Sequence, residues 1–135
     1  MHCFTLHDAT SGKAIQQEAH TGFLFLGSSR PTGRYCLDLV NKSNILRDSA
    51  NDACIVNTAF QLQCLDPTPG FSQWGLRRSG GRTFITVDGA VDFKACPADE
   101  GGEMIWGVQS ANKPGCRTLR LAAVGIHGER DEYTD

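Results

Sequence analysis

Long apolar runs are missing from this chain, and so is an excess of charge of either sign. No stretch approaches the roughly 20 residues that a bilayer-spanning helix needs, so membrane insertion is not expected. Thirteen Lys and Arg stand against fifteen Asp and Glu, for a net charge of −2. That balance gives no electrostatic basis for a nucleic-acid or anionic-membrane partner. None of the cysteine spacings is CxxC, and no Cys/His set has zinc-finger spacing. GxSxG, HExxH and activated-cysteine motifs are also missing. The loop at 28–33 (SSRPTG) lacks the lysine and following helix of a phosphate-binding P-loop. No catalytic residue, cofactor or metal site is therefore expected. No segment sustains helical periodicity either.

What remains is a chain of short extended runs cut by turns. The 135 residues are 40% hydrophobic and 21% charged, an ordinary balance for one globular domain. Strand signals are densest over 74–124. Phe84-Ile85-Thr86-Val87 is β-branched and aromatic, and Asp88-Gly89 follows it as a turn signal. Residues 90–95 alternate, with Val91, Phe93 and Ala95 on one face. Pro97 ends that run, because proline donates nothing to a ladder. Residues 104–108 and 117–126 resume as strands. Earlier runs begin at Phe4, Lys13, Gly22, Tyr35 and Cys54. Residues 45–52 read as one helical turn, or as a short strand followed by a turn. The expectation is an all-β fold of about ten to twelve short strands, closed as a compact disulfide-bridged barrel. Three loose blocks beginning near Phe4, Tyr35 and Thr83 suggest a β-trefoil. One domain spans 1–127, and 128–135 is a polar acidic tail that frays.

Six cysteines is an even number in a small chain, and it reads as a disulfide framework formed in an oxidising compartment. Met1-His2-Cys3 runs almost directly into a strand, with no basic n-region or apolar h-region. Either a leader has been removed, or the thiols are free in the cytosol. Asn41-Lys42-Ser43 is an N-glycosylation sequon in a polar loop, which adds slight support for secretion.

Two stretches resemble a known group. FTLHDATSGKAIQQEAHTGFLFLG at 4–27 resembles the opening of PhiA-type secreted fungal cell-wall proteins. FKACPADEGGEMIWGV at 93–108 and GCRTLRLAAV at 115–124 resemble their ending, and are similar to the C-terminal domain of PIR-type cell-wall mannoproteins. The matching residues are Trp74, Asp88, Gly89, Cys96, Trp106 and Cys116. Cys54 and Cys64 look additional to the pattern. No glutamine-rich PIR repeat is present, so covalent attachment to glucan is not implied. The resemblance implies a secreted or wall-associated protein without known catalysis. It also places Cys96 with Cys116, a pair that a meander would bring to one end of a sheet. Cys54 and Cys64 flank a short segment and pair next, which leaves Cys3 with Cys36.

The candidate ligand-binding residues are Trp74, Arg77, Arg78, Arg82 and Trp106. The two indoles are candidates to stack on sugar rings, although each lies within a strand among apolar neighbours and core packing is the favoured reading. The three arginines surround Ser79-Gly80-Gly81 and form a basic hairpin tip suited to an anionic glycan or a partner's carboxylate. Asp99, Glu100 and Glu103 read as a solvated acidic loop, since EF-hand spacing is absent. Adjacent His2 and Cys3 point to opposite faces of a strand, so with His7 they make no ligand set. The expected partner is cell-wall polysaccharide, or else an extracellular protein on which the chain acts as an effector or inhibitor.

Overall fold

The computed structural model describes residues 1–39, 43–109 and 114–128. Among them are thirteen strands: β1 (His2–Asp8), β2 (Gln16–Gln17), β3 (Leu24–Leu26), β4 (Tyr35–Asp38), β5 (Ile45–Asp48), β6 (Ala53–Val56), β7 (Leu62–Asp66), β8 (Trp74–Ser79), β9 (Arg82–Val87), β10 (Phe93–Pro97), β11 (Glu103–Gly107), β12 (Arg117–Leu119) and β13 (Leu121–Gly128). The fold is all-β. Eight strands form one sheet, in the order β7-β6-β5-β4-β1-β13-β9-β8, and five form a second, in the order β12-β10-β11-β3-β2. All the ladders are antiparallel.

Two expectations need correction and one open alternative is resolved. First, the ladders leave two open sheets and not one closed barrel. β5 and β8 would have to meet, yet no ladder joins them. They touch only where the Trp74 amide donates to Asn44 O at 3.0 Å and Asn44 Nδ2 donates to Trp74 O at 2.9 Å. Second, the strand expected over 117–126 is two strands. The chain leaves the small sheet at Arg120, whose carbonyl accepts from the Ala9 amide at 2.9 Å, and enters the large sheet as β13. This split raises the strand number above the ten to twelve expected. Third, of the two readings left open for 45–52, the short strand followed by a turn is the one that forms. Leu46 pairs with Leu37 and is 1% exposed, so burial against β4 fixes β5. The Asp48 carboxylate then closes the turn, accepting from the Ala50 and Asp52 amides.

The β9 turns show sequence dictating backbone. Asp88 and Gly89 both have positive φ, at 50° and 81°, and Val87 and Ala90 exchange two backbone hydrogen bonds across them. The β8–β9 hairpin turns through Gly80 and Gly81, at φ 59° and 79°. Both are the two-residue turns whose twist matches the flanking strands. Between them β9 is buried on both faces. Ile85 and Val87 join the main core, while Phe84 packs outward with Val91, Ala122 and Ala9 in a separate small cluster.

One apolar cluster contains Leu6, Ile15, Leu24, Tyr35, Leu62, Phe93, Ile105 and Leu121 and draws on both sheets. Disulfides reinforce it. Cys3–Cys36 links β1 to β4, Cys54–Cys64 links β6 to β7, and Cys96–Cys116 ties β10 to the residue before β12. These are the three pairs read from the sequence. They close loops with separations of 33, 10 and 20 residues, and each contributes about 2–4 kcal/mol in the loop-entropy account.

Trp74 is the largest side chain of the core and is 2% exposed. Its Nε1 donates to the Cys54 carbonyl at 2.8 Å, across 20 residues of sequence. Trp74→Phe keeps most of the apolar contact and removes that donor. We expect about 1–3 kcal/mol of lost stability, measured by denaturant unfolding. A variant as stable as the parent would show that the indole–carbonyl bond contributes nothing.

Candidate binding surfaces

The two tryptophans proposed for sugar stacking do not offer their faces to solvent. Trp74 is buried as described, and Trp106 is 8% exposed. Both lie on strands whose alternate residues meet the core. Both indoles pack in the core, the reading that the sequence favoured over sugar stacking. Among the described residues the large exposed aromatics are phenylalanines, which the sequence reading passed over. Phe71 is 99% exposed and Phe60 is 41% exposed.

These two phenylalanines flank a cleft of about 480 Å³ lined also by Ile55, Val56, Val87 and Asp88. Local chemistry builds it. The loop 66–71 (DPTPGF) carries Phe71 to the cleft mouth, and Gly70 lets the loop press on Ile55, where a Cβ would meet Cγ2 at 3.0 Å. Phe60 sits at φ 67°, unusual for a bulky residue. The Asn57 side chain enforces this turn, since Oδ1 accepts from the Ala59 and Gln61 amides at 2.9 Å each. The Phe60 carbonyl then receives the Gly107 amide at 2.7 Å. Strain of this kind persists only where the surroundings over-determine it, and it gathers at binding sites.

A larger hollow of about 550 Å³ lies over Cys3–Cys36, beside Tyr35, Arg47 and Asp48. Two of its charged groups are engaged internally, while the buried Tyr35 hydroxyl has no hydrogen-bond partner among the described residues. Arg47 Nη1 donates to the Asn51 and Pro67 carbonyls, and Asp48 accepts from Gln17 and two turn amides. None of its lining residues is a large exposed aromatic. The Phe71 cleft is therefore the better candidate despite its smaller size.

Arg77, Arg78 and Arg82 are exposed on the β8–β9 hairpin. The ladder pairs Arg77 with Phe84 and Ser79 with Arg82, so Arg77 and Arg82 share the outer face with Phe84. Arg77 Nη2 donates to Gly89 O at 2.9 Å. Neither Arg78 nor Arg82 has a carboxylate partner among the described residues. Asn41, the sequon asparagine, lies outside the described residues.

Compared with known proteins, the chain matches no family model, no curated protein and no solved structure. Its function is argued from its own surfaces.

The acidic candidates are held by arginines. Glu100 pairs with Arg30 at 2.9 Å, and the Arg30 guanidinium lies 3.7 Å from the Phe25 ring centroid. Glu103 takes two bonds from Arg117. No group of three or more His, Cys, Asp or Glu is placed to hold a metal among the described residues. No helix there is long and apolar enough to cross a membrane. His7 lies between Thr5 Oγ1 and the Gly12 carbonyl, at 2.8 and 3.0 Å.

The sequence reading missed Asp8, which is 1% exposed at the end of β1. It accepts from the Thr10 amide, the Ser11 hydroxyl and Arg117 Nη2, at 3.0, 2.9 and 3.0 Å. Burial alone would raise its pKa. The Thr10 amide, the Ser11 hydroxyl and Arg117 outweigh burial and hold the carboxyl below its ordinary value. A depressed carboxyl stabilises the fold above its unfolded pKa of about 4, and that stability is lost as pH falls through the folded value. Thermal unfolding between pH 7 and pH 2 should therefore show a steep acid loss, and Asp8→Asn should flatten it. An unchanged acid limb in the variant would assign the loss to other carboxylates.

Proposed function

We propose that this chain is a secreted, non-catalytic protein of the cell wall or extracellular space that binds polysaccharide in the cleft between Phe60 and Phe71. The observation that carries this reading is a fully exposed phenylalanine at the mouth of an apolar cleft that also presents a carboxylate, Asp88. Sugars have apolar faces and hydroxyl edges. An aromatic ring takes the face, and a carboxylate accepts from the edge. One Asp88 oxygen is already used by the Gln73 amide at 2.9 Å. The pairing of all six cysteines supports an oxidising compartment. The stretches resembling PhiA-type and PIR-type wall proteins point the same way.

The finer fold proposal is a β-trefoil. Three hairpins, β2–β3, β6–β7 and β10–β11, alternate along the chain with strands of the larger sheet. They contact one another in a ring: β3 pairs with β11, Phe23 bridges Gln63, and Gln61 bridges Trp106. Two of their turns close alike, Asn57 N to Gln61 O and Ala98 N to Gly102 O, and the first closes with one residue more, Glu18 N to Phe23 O. β1, β4, β5, β8, β9 and β13 are then the strands that link the hairpins, and the Asn44–Trp74 bonds bring the start of β8 near the start of β5. In this arrangement the repeats begin at β1, β5 and β9.

A second reading keeps the same residues and changes the partner. An effector or inhibitor would bury Phe71 in a pocket of another protein. Polysaccharide pull-down and a glycan array separate the two. Phe71→Ala should leave the melting temperature unchanged and weaken retention on the bound glycan roughly fivefold, the worth of one aromatic contact of about 1 kcal/mol. Absence of glycan binding by the parent protein would sink the polysaccharide reading.

A further inference from the structure

A second hollow lies away from the Phe71 cleft and shares no lining residue with it. It measures about 340 Å³, with Phe84 and Leu119 among its apolar lining and Arg82, Arg120, Thr10 and Thr118 among its polar lining. The placement follows from the ladders. Ala122 pairs with Phe84, so the chain just before β13 brings Arg120 to the side of the ring opposite the hairpin tip. The Arg82 guanidinium carbon lies 5.5 Å from the Phe84 centroid, and that of Arg120 lies 5.9 Å from it. One buried ring thus holds two like charges at a single hollow.

Two guanidiniums at one site repel each other unless an anion lies between them. Stacking occupies the planes of the guanidiniums and leaves their N–H edges available as hydrogen-bond donors. Arg120 Nε already donates to Asp92 Oδ1 at 3.2 Å, in a pair about half exposed on both sides. Asp92 is the one acid lining the hollow. Arg82 has no such partner among the described residues, and Arg77 adds positive charge on the same face of the hairpin. Two arginines thus flank one aspartate at the hollow, in a chain whose net charge is −2.

We infer that the hollow over Phe84 binds an oxyanion-bearing sugar, a uronate or a sulfate ester, of an acidic polysaccharide. The sugar ring packs on the Phe84 side, the oxyanion lies between Arg82 and Arg120, and the threonine hydroxyls meet the ring hydroxyls. Asp92 competes with the ligand for Arg120 and sets the affinity.

Calorimetric titration with polygalacturonate oligomers, sulfated dextran and neutral dextran tests this. We expect at least one acidic polymer to bind, with affinity falling as salt rises, and neutral dextran not to compete at this site. The acidic polymer that binds more tightly identifies the oxyanion. Arg82→Gln and Arg120→Gln should each weaken binding about tenfold. Asp92→Asn should strengthen it severalfold by freeing Arg120. Arg34→Gln, an equal charge change at an exposed site elsewhere, and Phe71→Ala should leave it unchanged. The inference is overturned if neither acidic polymer binds at low salt, if neutral dextran binds equally well, or if Arg34→Gln costs as much as Arg82→Gln. Loss of neutral-glycan binding in Phe71→Ala with acidic binding intact keeps this site distinct from the cleft.

Discussion

The pairing of the first strand with the last holds the molecule closed. β1 lies antiparallel to β13 from His2 opposite Gly128 to Asp8 opposite Leu121, with one irregularity between Cys3 and Thr5. More than a hundred residues separate the two strands, which makes this the ladder of greatest sequence separation and one that is slow to form. Other features secure it. Cys3–Cys36 ties β1 to its other neighbour, β4. Asp8, at the end of β1, reaches Arg117 of β12, and Arg117 reaches Glu103 of β11. The large sheet is thereby fastened to the small one where the chain crosses at Arg120.

That ladder also sets the surfaces. β13 places Arg120 and Ala122 beside Phe84, and so forms the hollow over the ring. The hairpins of the small sheet and β6–β7 meet through isolated bridges, and the Phe60 turn is pinned to Gly107 at that junction. Both candidate sites are carried by the strand framework, the cleft through the loops and turns between strands and the hollow through β9 and the chain just before β13.

The sequence disclosed features that depend on local chemistry. Asp88-Gly89 was legible because a two-residue turn with two positive φ angles demands such residues. Alternation over 90–95 disclosed the buried face of β10. The cysteine pairs followed from counting, spacing and resemblance. What escaped depended on distant partners. Trp74 and Trp106 read as core over sugar platforms from their apolar neighbours alone, but the strands that bury them lie far along the chain. Residues 45–52 were ambiguous because only pairing with β4 favours extension there. Arg117 to Ile126 read as one strand, since nothing local marks the crossing at Arg120. Phe71 followed a Pro-Gly loop and resembled any other strand-entry residue. Its exposure is a property of the folded surface, as is the gathering of Arg82 and Arg120 on one ring.

The central claim is that a polysaccharide occupies the cleft flanked by Phe60 and Phe71. Backbone amide shifts, followed by NMR during titration with a bound oligosaccharide from the array, test it most directly. Shifts should concentrate at 55–60, 70–73 and 87–88. They should be small at Trp106, Asp99 and Glu100, where a groove of about 380 Å³ presents buried tryptophan and acidic residues instead. Saturation with shifts centred on that groove, or over Cys3–Cys36, would contradict the account.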